Sequence, residues 1–332
     1  MGEGFTWRDG ERVVRFGRGA LGDAPGLLDG RYALLTTRRA AAWAPEVVAG
    51  AASVHMVAAG FVDELARELL RAVDAPLIVA LGGGRVIDTA KAIAAAQGAR
   101  AAAIPTTLSA AEMTAVHRRA AGTDASVPGV RPAIVVNDPA LSASQPPAEL
   151  AASAANALAH AVEAPLTTLA SPVPTLAAQR AARLIAAAFP AGGGDGSSPA
   201  AREDLALAAL LCGYAIDSAW YGLSHVCSQT LVRVGGAGHG QANAVLLPHT
   251  AAALRLRAPD GLARMDEAVG EAVEPVAARL ASLAGAARIR NLGVAEERLD
   301  ACAAAAAQRP ELDLTPPRAG QGELRGIYAA AW

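Results

Sequence analysis

The chain has 332 residues, of which 53% are hydrophobic and 18% charged, and a formal net charge of −2. That length suits two domains with separate cores, and the apolar content excludes a disordered chain. The near-neutral charge leaves no electrostatic case for nucleic acid or a membrane surface, and no apolar run is long enough to span a bilayer.

The opening residues, MGEGFTWRDGER, are charged and lack the apolar run of a secretory signal. They fit only the loose N-myristoylation pattern, with Gly2 and Thr6 in place. Cys212, Cys227 and Cys302 form neither a metal-type spacing nor an even disulfide set. A cytoplasmic location is expected from both features. Of the 29 lysines and arginines only Lys91 is a lysine. Either it survives by chance, or a tight site there needs a compact ammonium rather than a planar guanidinium.

Up to residue 140, short β-rich runs alternate with Ala/Leu-rich amphipathic stretches. Strands are predicted at Arg12–Phe16, Tyr32–Thr36, Ser53–Val57, Leu77–Leu81, Ala102–Pro105 and Ala133–Asn137, with helices such as Phe61–Val73 and Asp88–Gln97 between them. This alternation reads as an α/β domain, a parallel sheet with helices on its faces. From Pro146 the strand signals stop. Helices are predicted at Pro147–Ala164, Thr175–Ala188, Arg202–Val232, His239–Leu256, Arg264–Leu283 and Ala295–Gln308. A Pro-rich connector, Arg309–Arg318, precedes a last helix over Glu323–Ala331. The expected division is an α/β half over 1–145 and an all-helical half over 146–332.

Two segments of the first half carry chemistry. LIVALGGGRVIDTAKAIAAA (77–96) is a buried strand, three glycines and a helix. Glycines let backbone amides approach a pyrophosphate, and the helix N-terminus favours an anion, although a strand-to-helix turn also needs glycine for steric reasons alone. Asp88 and Lys91 share one face of that helix. The next strand runs into IPTTLSAAEMT (104–114), where Thr106, Thr107 and Ser109 sit where open α/β sheets place ligands. Those hydroxyls can bind a nucleotide or cap a helix starting near Ala110.

In the helical half Asn156 and His160 are four apart and share a helix face. His225 is expected within the long Arg202–Val232 helix, and His239 follows at the start of the next. Converging, they match a catalytic or metal centre; singly, each histidine reads as an ordinary hydrogen-bonded helix residue.

GGGRVIDTAK resembles the GGGSxxDxxK nucleotide loop of iron-containing alcohol dehydrogenases, and IPTTLSAAEMT resembles their IPTTxxGSExT loop. NDPAL (137–141), ANALAHAVEA (155–164), GLSHVCSQTL (222–231) and GHGQANAVLLPH (238–249) follow in the family's order. The resemblance spans the chain and implies a Rossmann-like N-terminal domain, a helical C-terminal domain and a homodimer. It assigns Gly83, Gly84, Arg85, Asp88, Thr106, Thr107, Ser109 and Thr37 to NADH or NADPH. Thr37 stands where NAD-specific relatives have Asp, and with Arg38 and Arg39 beside it NADPH is expected to be tolerated or preferred.

Metal-dependent members hold Fe²⁺ or Zn²⁺ with one Asp and three His, positions that are Asn156, His160, His225 and His239 here. Asn at the first of these is also found in maleylacetate reductases, the branch this sequence most resembles, so metal is expected to be absent. If a metal is held, its ligands are His160, His225 and His239. A further family histidine, beside the nicotinamide, is replaced by Gln229, which cannot relay a proton. Asp88, by contrast, resembles the alcohol dehydrogenases.

The leading expectation is therefore a metal-independent NAD(P)H reductase of a small oxo-acid. Its catalytic residues would be His160, His225, His239, Asn156 and Gln229, with Arg85, His117 and Arg118 pairing substrate carboxylates. The alternatives are an Fe- or Zn-dependent alcohol dehydrogenase and a non-redox enzyme repurposed on this fold.

Overall fold

The computed structural model describes residues 4–332, except the side chain of His239. Gly2, and with it the acylation pattern, lies outside the described residues. The chain divides into two compact units after Gln145.

The first unit is built on a seven-stranded sheet: β1 Phe5–Asp9, β2 Arg12–Phe16, β3 Tyr32–Thr36, β4 Ser53–Met56, β5 Leu77–Gly82, β6 Arg100–Pro105 and β7 Ile134–Asn137. The strand order is β1-β2-β7-β6-β5-β3-β4. All neighbours run parallel except β1, which joins β2 as an antiparallel hairpin across Gly10 and Glu11. The sheet is thus mixed rather than purely parallel. β1 (FTWRD) lacks a buried apolar face, and four of its five residues are exposed. Its side chains instead pair across the hairpin, with Phe5 stacked on Phe16 at 5.1 Å.

β3 and β5 are buried along their whole length, which explains why they read as continuous apolar runs. One apolar cluster covers one face of the sheet, where α4 (Val62–Leu69) and α5 (Gly84–Gln97) pack. A second cluster covers the other face, using the short helices α1 (Ala24–Leu27), α2 (Arg38–Ala41) and α3 (Pro45–Gly50). From β3 the chain goes outward to β4, then returns to β5 on β3's other side. The order reverses there, so the crevice beyond the carboxyl ends of β3 and β5 is a topological switch point.

The second unit is all helical: α6 Pro147–Glu163, α7 Pro172–Ala188, α8 Pro199–Ala219, α9 Leu223–Thr230, α10 His239–Arg257, α11 Pro259–Val269, α12 Val273–Leu283, α13 Arg298–Ala307 and α14 Gln321–Ala331. α6 is its centre and packs against α7, α8, α10 and α12. No single described helix is long and apolar enough to cross a membrane.

Two expected helices are each broken in two. Arg264–Leu283 is α11 and α12, separated at Gly270, whose φ is +90°. The Asp266 carboxylate accepts from Val273 N and from Arg255, which also grips Glu274. Arg202–Val232 is α8 and α9, followed by a π-helical turn at Leu231–Gly235. The break at Trp220–Gly222 is held by side chains distant in sequence. Thr167 Oγ1 donates to the carbonyl of Ala219, 2.6 Å away. Thr315 Oγ1 accepts from Leu223 N at 3.1 Å. Trp220 takes φ +60°, a strained conformation for a bulky residue. The helix expected near Ala110 is only a 3₁₀ turn, Ala111–Met113.

Gly222 is packed so closely on Thr315 that an added Cβ would lie 2.5 Å from Oγ1. Gly222→Ala is expected to lower the unfolding free energy by about 2 kcal/mol, the usual scale of overpacking. Gly322→Ala, in a helix where a Cβ meets nothing within 4 Å, is expected to be neutral or mildly stabilising. Chemical denaturation of both variants checks this contrast.

Candidate active site

In the first unit, strand register brings three loops to one edge of the sheet. Thr36 pairs with Leu81 and Gly82 pairs with Pro105, so the segments after β3, β5 and β6 are neighbours. Thr37, Gly83, Gly84, Arg85, Thr106, Thr107 and Ser109 all lie in those segments. A Cβ on Gly83 would meet Thr107 Cγ2 at 3.0 Å, and one on Gly84 would meet Ser109 Cβ at 2.8 Å. The glycines are therefore required by the close approach of the two loops. α5 begins at Gly84 with no side-chain cap and no acidic residue in its first turn. Its leading N–H groups and the exposed Arg85 suit a phosphate. Thr37 spends its hydroxyl on capping α2, accepting from Ala40 N at 3.2 Å.

Lys91 has no solvent exposure. Its Nζ reaches Asp88 Oδ1 (2.8 Å), the carbonyls of Ala111 (3.0 Å) and Val116 (2.8 Å), and Thr114 Oγ1 (3.3 Å). A compact ammonium fits this ring of acceptors and a planar guanidinium does not, which gives the lone lysine a structural reason. It ties α5 to the loop after β6. Asp88 is thereby half committed to Lys91.

His117 does not serve as a carboxylate partner. Its Nδ1 is 2.9 Å from the carbonyl of Arg118, and its Nε2 accepts from Val130 N at 3.0 Å. Both ring nitrogens are spent on its own loop, and burial holds its pKa below the usual histidine value. Arg118 is exposed on the same loop.

Glu112, which the sequence reading missed, is fully buried, and neither carboxyl oxygen meets a donor from another residue. Burial pushes its carboxyl up to about 7, against the pull of Lys91 and Arg12.

In the second unit α6 presents Asn156, His160 and Glu163 along one face, all buried. Glu163 crosses to the start of α9. Its Oε1 accepts from Ser224 N at 2.6 Å; its Oε2 accepts from His225 N at 3.3 Å and pairs with His225 Nδ1 at 2.7 Å. One carboxylate thus caps a helix and fixes an imidazole. His225 Nε2, on the far side of the ring, is buried with no hydrogen-bond partner among the described residues. The His160 ring stacks on it, centroids 4.6 Å apart and planes within 15°. His160 Nδ1 is 4.0 Å from the buried Cys212 Sγ. The Tyr221 ring lies 5.6 Å from His225 at a tilt. Gln229, one turn after His225, accepts at Oε1 from Arg309 Nη2 at 3.1 Å. His239 opens α10, but its side chain lies outside the described residues.

Of the expected catalytic set, the structure brings His160 and His225 into contact, with Asn156 on the face of α6 that carries His160. Glu163 was missed, although a carboxylate three residues after His160, on an otherwise alanine-rich helix face, is a legible signal. As a metal site the described donors are weak. They are two imidazoles and the neutral amide of Asn156, and Glu163 is turned to α9, so it is not available to supply the anionic oxygen of the family's one-Asp, three-His ligand set.

A doubly wound α/β unit with an uncapped phosphate-type turn, followed by a helical unit with a carboxylate-fixed histidine, defines a nucleotide-dependent enzyme class. Residues 150–332 match the C-terminal model of the Fe-containing alcohol dehydrogenase family, and residues 36–146 match a second iron-containing alcohol dehydrogenase model. The chain is 32% identical over 253 residues to the maleylacetate reductase of Rhizobium sp. strain MTP-10005, covering 75% of this chain and 72% of that one. The crystal structure of maleylacetate reductase from Agrobacterium tumefaciens superposes with a TM-score of 0.83 at 26% identity, over 100% of this chain and 99% of that one. A 1,3-propanediol oxidoreductase structure gives a TM-score of 0.80 at 28% identity, with both chains fully covered. The chain belongs to the iron-containing alcohol dehydrogenase family, whose members are NAD(P)-dependent oxidoreductases.

Glu112 predicts a pH dependence of stability. Its folded-state pKa is raised above the ordinary 4.5. The unfolded chain therefore releases the proton at lower pH than the native one, and stability falls as pH rises from about 4.5 to about 7, then levels off. The expected loss is on the order of 1 kcal/mol per pH unit within that window. Glu112→Gln is expected to flatten this slope, as read by Tm at pH 5, 6, 7 and 8.

Proposed function

We propose that this protein is an NAD(P)H-dependent reductase of a small carboxylated oxo-acid, of the maleylacetate reductase kind, working without a resident metal. The observation that carries this reading is the buried, partnerless Nε2 of His225, aimed by Glu163 in a cluster whose remaining polar member on α6 is a neutral amide. Relatives named maleylacetate reductase support the substrate class.

Gly83, Gly84 and Arg85 hold the pyrophosphate of the dinucleotide, with Thr106, Thr107 and Ser109 beside them and Asp88 one turn further along α5. The exposed Arg38 and Arg39, next to Thr37 at the end of β3, favour a 2′-phosphate and hence NADPH. When bound, the reduced nicotinamide supplies a hydride to the electrophilic carbon of the substrate. The protein meets the negative charge that then develops on the substrate's oxygen with hydrogen-bond donors preorganised in a water-poor site. Asn156 and His160 donate to it, and His225 delivers the proton that completes the reduction. Glu163 stabilises the charged ring while that proton is held and keeps Nε2 pointing outward. His239 is assigned as a further donor from the start of α10. A cytoplasmic homodimer is the proposed working form.

Purified protein assayed for metal content is expected to oxidise NADPH on addition of maleylacetate, with less than stoichiometric iron or zinc and no loss on chelation. The kcat/KM with NADPH is expected to equal or exceed that with NADH. Activity that tracks bound metal would establish the metal-dependent alternative. Absence of binding of either nucleotide, followed by nicotinamide fluorescence, would remove the redox reading.

A further inference from the structure

Gln229 stands on the face of α9 that carries His225, one turn on, and is only partly buried. Its amide is not free to choose its orientation. Arg309 sits against it, pinned by a two-point grip on Glu311: Nε to Oε2 at 2.9 Å and Nη2 to Oε1 at 2.7 Å. Arg309 Nη2 also points at Gln229 Oε1 (3.1 Å) and at the Tyr221 hydroxyl (3.4 Å), which lies 3.3 Å from Glu311 Oε1. A guanidinium only donates, so the amide must turn its oxygen toward Arg309. The NH₂ group is then forced to the opposite side, where it has no partner among the described residues. Tyr221 joins this network to the histidines, because its ring packs on His225.

From this arrangement we infer that Gln229 is a specificity-determining residue, whose amide N–H donates to a carboxylate of the substrate, and that Arg309 is its positioning residue. The inference rests on the oxo-acid reading above and names the group that selects for the acid. Arg309 and Glu311 cancel in charge, so the recognising element is the amide, polarised by the guanidinium on its oxygen. Bonds to a charged acceptor are about twice as strong as neutral ones, so an amide held as donor favours a carboxylate over an alcohol. Unlike an imidazole nitrogen, whose donor role depends on tautomer and protonation, the oriented amide donates on that side at every pH.

The test uses full-length protein and two readouts, KM for maleylacetate and direct binding of maleate by calorimetry. Gln229→Glu keeps the side-chain shape and strengthens the contact with Arg309, but replaces the donor with an anionic oxygen. KM and the maleate Kd are both expected to rise about tenfold or more, with kcat changed far less and the nucleotide Kd unchanged. Arg309→Met is expected to raise KM severalfold in the wild-type background and to have little effect once Gln229→Met is present. Contacting residues couple in stability whatever their role, so the coupling that separates the two cases is the one in KM and maleate Kd with the nucleotide Kd unmoved. An unchanged maleate Kd in Gln229→Glu, or additive effects in the double variant, would overturn the inference. Wild-type protein that binds maleate but does not turn over maleylacetate would sink the proposed reaction instead, and the maleate comparison would still decide the role of Gln229.

Discussion

Glu163 is fully buried, and a carboxylate persists there only if donors reach both of its oxygens. It finds three, the backbone amides of Ser224 and His225 and the ring Nδ1 of His225. These contacts join α6 to the start of α9 and decide what His225 can do. Removing one partner from such a buried set costs about 1–3 kcal/mol, because the group left behind keeps its desolvation penalty. The strained backbone at Trp220, the close approach of Gly222 to Thr315 and the capping of α8 by Thr167 all lie within a few residues of this junction. Each places the first turn of α9 where Glu163 can reach it. Nε2 is left as the unpartnered end of the ring, and the chemistry proposed for the helical unit depends on that one buried, unsatisfied nitrogen.

The α/β unit is organised by an analogous buried charge of opposite sign. Lys91 gathers acceptors from α5 and from the loop after β6, so the glycine turn and the hydroxyl-bearing loop are fixed against each other from beneath. Gly83 and Gly84 then allow the two loops to touch. Glu112, nearby and without a donor, is the opposite case: a carboxyl whose site favours its neutral form. Ala110, in between, holds a left-handed backbone (φ +63°) where the family pattern has glycine, and it carries some strain for that reason.

The strands of the sheet core and the glycine loop were legible because their signals are local. β5 is a continuous apolar run ending in glycines, and the parallel strands beside it follow the same rule. The hairpin strand β1 was missed although Phe5, Thr6, Trp7 and Arg8 alternate apolar and polar and the Asp9-Gly10 pair ahead of β2 is a turn signal; the strand is short, charged at its end and largely exposed, so it contributes no core run to read. The helix expected over Arg202–Val232 failed for a different reason. Apart from Gly213 and Gly222 its residues are compatible with helix, and the break at Trp220–Gly222 is held by Thr167, Thr315 and Glu163, none of which is near it in sequence. At the site, spacing on α6 put Asn156 and His160 on one face, but whether His225 approached them could not be read without α9. His117 shows the converse error: a histidine beside a cofactor-type loop whose two nitrogens serve the loop itself.

The contact with Glu163 implies a His225 ring protonated at Nδ1, which leaves Nε2 free for the role proposed for it. Long-range ¹H–¹⁵N correlation spectroscopy of protein labelled at histidine nitrogens reads this directly. The neutral His225 ring is expected to carry its proton on Nδ1, with a lone-pair-type shift at Nε2, and Glu163→Gln is expected to disturb this assignment. A neutral ring protonated at Nε2 in the wild-type protein would contradict it.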